Sequence, residues 1–219
     1  MIFDVDGVIA DTEAVNAAAS IKVFAELFGV EGVRRADFVA GLGRGAEAYV
    51  KAAAKIHGFE ITAEQVAQAT AARQENFLEM LRSDPLPAFA GVTELIEAAL
   101  ASEDFRLAIA TSSTHEKSQA VLESAGIAYE QMVYITGSEV THKKPHPELF
   151  LKAVGQLGLE GQKCLVIEDA PSGVEAAQGA GCKCVAVTNS ALAAELARAE
   201  MVVESLVEIN LETVRELLR

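Results

Sequence analysis

Two aspartates one residue apart, Asp4 and Asp6, follow a short apolar lead, Ile2-Phe3, and are followed by Gly7. Such a pattern reads as the end of a buried strand running into a turn. Alternate residues of a strand project to the same side. Both carboxylates can therefore address one site if the chain curls just past the strand end. Two carboxylates that close repel each other, and a divalent cation is the natural counter-charge. The pair would serve equally well as turn or capping aspartates, since Asp is common in turns. What separates the two readings is the company these residues keep.

In open α/β sheets a ligand binds at the carboxyl ends of the strands, so the residues just after each apolar run carry the argument. Leu107–Ala110 is followed by Thr111-Ser112-Ser113-Thr114, leading into a helical pattern. The run ending at Ile135 is followed by a loop with Lys143-Lys144-Pro145, and Leu165-Val166-Ile167 by Glu168-Asp169 and then Ala170-Pro171-Ser172-Gly173. Each has a plain explanation alone: hydroxyls cap helices, a loop Lys is solvated, and acids favour a helix start. Together they place two acids, hydroxyls at a helix N-terminus, a Lys and two further acids at consecutive strand ends.

The elements that must position them alternate. After the Pro-rich stretch Asp84–Gly91, the pattern reads as helix 92–102, strand 105–110, helix 115–125, strand 132–135, helix 147–157, strand 163–167, helix 172–180, strand 184–187, helix 191–199, edge strand 201–203 and helix 211–218. The strand runs are apolar throughout, as in a parallel sheet covered on both faces. The expected fold class is α/β, a doubly wound parallel sheet with right-handed crossovers. Between Asp11 and Asp84 no strand pattern occurs; helices are expected from Val15 to Gly29, Arg34 to His57 and Thr62 to Leu81, broken by Gly41-Leu42-Gly43-Arg44-Gly45. Thr62-Ala63-Glu64-Gln65 has the form of a capping box. The domain reading is an α/β core of 1–12 and 87–219 with an all-helical cap, 13–86, inserted after the first strand. That strand is short for a buried parallel strand, so residues ahead of Met1 are expected to be missing.

The remaining composition excludes several function classes. Of 219 residues, 51% are hydrophobic, enough for a sizeable core. A net charge of −14 argues against nucleic acid and anionic membranes, which need basic residues. No apolar run reaches the length of a membrane span, and no basic segment followed by an apolar stretch opens the chain. Cys164, Cys182 and Cys184 do not form a disulfide framework. The expectation is a protein of the cytoplasm or an organelle stroma, monomeric or dimeric.

The chain resembles the haloacid dehalogenase superfamily, in its branch of phosphatases and phosphomutases with a helical cap. The likeness rests on Asp4-Val5-Asp6-Gly7-Val8, Thr111-Ser112, Lys144-Pro145, and Glu168-Asp169 with Ser172-Gly173, all in family order. By that resemblance Asp4 is the nucleophile, forming an aspartyl-phosphate. Asp6 is the acid that protonates the leaving group and the base that activates water. Thr111 and Ser112 hold phosphate oxygens at a helix N-terminus, and Lys144 adds charge and orients Asp4. Mg²⁺ is implied, on Asp4, the Asp6 backbone carbonyl, Asp169 and Glu168. Dehalogenases lack an acid at the place of Asp6, so phosphoryl transfer is implied instead.

The implied partner is a small phosphorylated metabolite, a sugar or polyol phosphate or bisphosphate. Its contacts are expected at Gly7, Asn16, Gly43, Arg44, Arg73, Ser112, Ser113 and His115, the two arginines gripping a distal phosphate. β-Phosphoglucomutases carry a His where this chain has Asn16, and Lys-Asn where it has Thr114-His115. Both departures favour a phosphatase over a mutase. The third alternative is a non-catalytic binding domain of the same fold, against which stands the presence of Asp4, Asp6, Lys144 and Asp169. His142 and His146 are read as loop residues, since Pro145 between them bars a helix that would bring them to one face.

Overall fold

The computed structural model describes residues 1–41 and 46–219. Its sheet has six parallel strands in the order β3-β2-β1-β4-β5-β6. The strands are β1 (Ile2–Phe3), β2 (Ala108–Ala110), β3 (Val133–Ile135), β4 (Leu165–Glu168), β5 (Lys183–Val187) and β6 (Met201–Val203). The expected doubly wound α/β architecture is what is observed. The chain leaves β1 in one direction through β2 and β3, then returns to its other side with β4, which makes the β1/β4 seam a topological switch point.

The chain divides into two compact units, Met1–Asp11 with Leu86–Arg219, and Thr12–Pro85. The first holds the sheet with α4 (Val92–Leu100), α5 (His115–Ser124), α6 (Glu148–Leu157), α7 (Pro171–Gly179) and α8 (Leu211–Leu217). Ile2, Ala108, Val166 and Cys184 from the strands pack with Leu149, Phe150, Val174 and Ala177 from α6 and α7 in one buried cluster. The three cysteines are free and buried. Met1 lies within the sheet's reach: its carbonyl accepts from the Ala108 N–H at 2.9 Å.

The second unit is helical among its described residues: α1 (Thr12–Phe28), a 3₁₀ stretch Arg35–Gly41, α2 (Ala46–Ile56) and α3 (Ala63–Ser83). Its core joins Val23 and Phe24 of α1 to Phe38, Tyr49, Val50, Ala53 and Ala69, with Phe38 stacked on Tyr49 at 4.6 Å between ring centroids. The capping box is present, with Thr62 Oγ1 accepting from Gln65 N–H and Gln65 Oε1 from Thr62 N–H. Thr62→Ala is expected to destabilise this unit by about 1 kcal/mol, measured by chemical denaturation.

Two expectations are corrected. The first part of the segment 34–57 is not α-helical: it is the 3₁₀ stretch, where the Asp37 carboxylate accepts from the Arg34 N–H at 2.9 Å and from the His57 ring at 2.8 Å. Such local side-chain bonds compete with the helical ladder. The segment 191–199, rich in Ala, Leu and Glu, is a series of turns. It is pinned at its C-terminal end. Glu200 N–H donates to Cys184 O and Glu200 Oε2 accepts from Cys184 N–H, while Arg198 binds Gln178 through its carbonyl and guanidinium. Leu196, fully buried, anchors the middle. Tertiary bonds here override helix propensity. Among the described residues no helix is long and apolar enough to cross a membrane.

Candidate active site

Strand register assembles the site. Phe3 pairs with Ile109 on one side and Ile167 on the other, so one residue further on Asp4 lies abreast of Ala110 and Glu168. The Asp4 N–H donates to Ile167 O at 3.0 Å, fixing the carboxylate at the switch point. Lys144, from the loop between β3 and α6, reaches the same place. Its Nζ donates to Asp4 Oδ1 at 2.6 Å and to Glu168 Oε1 at 2.5 Å, with its side chain only 9% exposed. Burial works against the ammonium's charge, but the two carboxylates outweigh it and hold its pKa above the ordinary lysine value.

Three acids, Asp4, Glu168 and Asp169, are buried together, with carboxylate oxygens within 4.8 Å of one another. Burial first, then Glu168 and Asp6, push the Asp4 carboxyl from 3.8 to about 7, against the pull of Lys144. Burial and its acidic neighbours raise Asp169 well above the carboxylate range in the same way, opposed by a hydrogen bond from the Ser190 hydroxyl. Glu168 Oε2 accepts from the N–H groups of Asp169 and Ala170 at 2.9 and 3.1 Å. One buried cation against three buried acids leaves an excess of negative charge that a further cation relieves. The donors are all oxygen, without His or Cys, which suits a hard divalent ion such as Mg²⁺.

Asp6 has different surroundings. Its side chain is 31% exposed; Oδ2 accepts from Ser113 Oγ at 2.5 Å and Oδ1 pairs with Lys117 Nζ at 2.8 Å. One acid is thus buried beside the other two, and its neighbour is held at the rim by a hydroxyl and a second lysine.

The hydroxyls follow β2 at the start of α5. Thr111 is fully buried, its Oγ1 accepting from the Ser113 N–H at 3.1 Å. Thr114 caps α5 by accepting from the Lys117 N–H. Ser112 Oγ is buried without a hydrogen-bond partner, the one such side-chain atom among the described residues. A buried hydroxyl in that state costs free energy until a ligand or water meets it.

Gly7 has φ +78°, and a Cβ there would lie 1.8 Å from Asp169 Oδ2 and 2.7 Å from Ser190 Oγ. Gly173 does the same for Glu168, whose carboxylate carbon would be 1.9 Å from an added Cβ. Gly7→Ala is therefore expected to displace Asp169 and to weaken the binding of any divalent ion held by these acids about tenfold or more, measured by calorimetric titration.

His115 opens α5 with its ring against Tyr134, centroids 5.1 Å apart. Asn16 and Arg73 belong to the helical unit. Asn16 lies on α1, its carbonyl accepting from Ser20 Oγ, and the Arg73 guanidinium lies 5.5 Å from the Tyr49 ring centroid. The Tyr49 hydroxyl donates to Glu13 Oε1 at 2.7 Å. Gly43 and Arg44 fall outside the described residues.

Three participants escaped the sequence reading. Lys117, in the first turn of α5, turns its Nζ back to Asp6 Oδ1 at 2.8 Å and to Ser113 Oγ, ahead of the helix, at 3.4 Å. Asn189 and Ser190 follow β5: Asn189 Nδ2 donates to Gly7 O at 2.8 Å, and Ser190 binds Asp169. The strand-end rule applied to β5 would have found both.

The chain is similar to known proteins in sequence and in fold. The chain is 34% identical over 196 residues to the protein CbbY of Rhodobacter capsulatus, covering 84% of this chain and 83% of that one. It is 32% identical to the chloroplastic protein SUPPRESSOR OF QUENCHING 1 of Arabidopsis thaliana, covering 85% of this chain but spanning only 17% of that protein's length. The crystal structure of CbbY from Rhodobacter sphaeroides in complex with xylulose-(1,5)bisphosphate superimposes with a TM-score of 0.85 at 25% identity, covering 97% of each chain. The model of the family described as haloacid dehalogenase-like hydrolase matches residues 1–187, and the chain belongs to that family of hydrolases.

Proposed function

We propose that the protein is a Mg²⁺-dependent phosphatase that hydrolyses a small phosphorylated metabolite, a sugar phosphate or bisphosphate, through an aspartyl-phosphate on Asp4. The observation that carries this reading is the buried Lys144 held between Asp4 and Glu168, with Asp169 beside them, at the β1/β4 switch point. A phosphoryl group needs an in-line nucleophile and neutralisation of its equatorial oxygens. Asp4 is the nucleophile, its free oxygen directed by the Lys144 bond to the other. Lys144, the Ser112 N–H and the Thr111 hydroxyl take up the oxygens' charge. Asp6, held by Ser113 and Lys117, delivers a proton to the leaving alkoxide and then takes one from the hydrolytic water. Asp4, Glu168, Asp169 and the Asp6 carbonyl would hold Mg²⁺, which when bound offsets the repulsion between a carboxylate nucleophile and a phosphate dianion.

The helical unit, 12–85, is read as the cap that selects the substrate, with Arg44 and Arg73 as cations for a distal phosphate and Asn16, Gly43, Ser113 and His115 as further contacts. The bisphosphate bound by CbbY supports the substrate class. The test is phosphate release from a panel of sugar mono- and bisphosphates. Release from a few of them, dependent on Mg²⁺ and abolished by EDTA, is the expected result. Release unaffected by EDTA would remove the metal from the account; isomerisation of a hexose phosphate without release would replace phosphatase by mutase.

A further inference from the structure

A second cluster of residue types that ligate metals lies outside the acidic site, where the loop after β3 meets the start of α6. His142, His146 and Glu148 present ligand atoms within 4.8 Å of one another, both histidines being exposed. Their rings lie 4.6 Å apart between centroids, so the turn through Pro145 achieves what a helix could not. Glu148 begins α6 with its carboxylate already fixed. Oε1 accepts from the Thr141 N–H and Oε2 from the His142 N–H, each at 2.9 Å. His142 Nδ1 lies 3.0 Å from Glu148 Oε2. That is near the separation of about 3.3 Å expected for two ligands at about 2 Å from one tetrahedral Zn²⁺. His146 Nδ1 accepts a 3.2 Å bond from the Glu148 N–H, a bond that an ion taking this lone pair displaces. Lys152 approaches the other carboxylate oxygen, Oε1, at 3.7 Å and leaves Oε2 to the histidines.

We infer that His142, His146 and Glu148 form a surface site for a borderline transition-metal ion of the Zn²⁺ class, separate from the all-oxygen site of Asp4, Glu168 and Asp169. Two imidazoles and one carboxylate prefer such an ion to Mg²⁺, which seeks oxygen alone. The ion replaces the proton shared by His142 Nδ1 and Glu148 Oε2, and water completes its shell. Lys144 lies midway between the two histidines in sequence, so an ion here ties down the loop that delivers Lys144 to Asp4.

The experiment titrates the full chain with Zn²⁺ in excess Mg²⁺, following binding by competition with a chromogenic chelator and the histidine side-chain ¹⁵N resonances by NMR. The expected result is one Zn²⁺ per chain, with the His142 and His146 resonances moving together. Affinity falls about tenfold or more in His142→Ala/His146→Ala and is retained in Asp169→Asn. Both histidines are exposed, so the double variant is expected to keep the wild-type fold by circular dichroism. Zn²⁺ affinity unchanged in the double variant, affinity lost in Asp169→Asn instead, or titration without movement of the two resonances would each overturn the assignment.

Discussion

Asp4→Asn is expected to lower turnover by about 10⁴-fold or more, the scale of losing a covalent nucleophile, while leaving the fold intact or more stable. The carboxamide has the shape of the carboxylate but no nucleophilic oxygen. Stability should move the other way because Asp4 is held against its ionisation. Its carboxyl, pushed from 3.8 to about 7, keeps a proton in the folded chain over a range where the unfolded chain has lost it. The folded state binds more protons there, so the metal-free protein loses stability as pH rises from about 4 to about 7. The Asp4→Asn variant lacks that group and should show a flatter profile, surpassing wild type near pH 8 in EDTA. Urea denaturation at pH 5 and pH 8 measures this. A variant that loses stability over that range as steeply as wild type would show that Asp4 is not the group responsible.

Lys144→Met carries the second large effect, on stability and catalysis together. Methionine matches the stem but removes the charge between Asp4 and Glu168. Breaking one partner from a buried ionic group costs about 3–5 kcal/mol, because the partners stay buried and uncompensated. Without the ammonium the Asp4 carboxyl titrates higher still, so the penalty should be largest in metal-free protein at high pH and shrink as the acids protonate. Added Mg²⁺ should restore part of the stability by supplying a substitute cation. Activity should remain about 10²–10³-fold below wild type even at saturating Mg²⁺, the scale of losing one preorganised electrostatic contact. Equal destabilisation with and without Mg²⁺ would mean that Lys144 contributes packing rather than charge.

The backbone of this account was legible in the sequence because it depends on one-dimensional signals. Apolar runs marked the strands, and the rule that ligands gather at strand ends picked out Asp4, Asp6, Thr111, Lys144, Glu168 and Asp169. Glycine is a sequence signal for a helix stop, and Gly126, Gly158 and Gly181 all take positive φ just past their helices. What stayed hidden depends on distance in space. Lys117 looks like any surface lysine until α5 turns it toward Asp6. Ser190 is a loop hydroxyl until β5, lying next to β4, brings it to Asp169. The segment 191–199 has the composition of a helix, and only the buried Leu196 and the bonds of Arg198 and Glu200 to α7 and β5 explain why it is not one. The meeting of His142 with His146 likewise arises from a turn geometry that spacing alone does not convey.

The covalent intermediate on Asp4 is the central claim, and trapping it is the most direct test. The enzyme is mixed with its best substrate and Mg²⁺, quenched in acid during turnover, and reduced with borohydride, which converts an acyl phosphate on aspartate to homoserine. Peptide mass analysis then locates the change. Reduction is expected at Asp4, dependent on substrate and Mg²⁺ and blocked in Asp4→Asn. Steady phosphate release with Asp4 unmodified, or with the change at another acid, would contradict it.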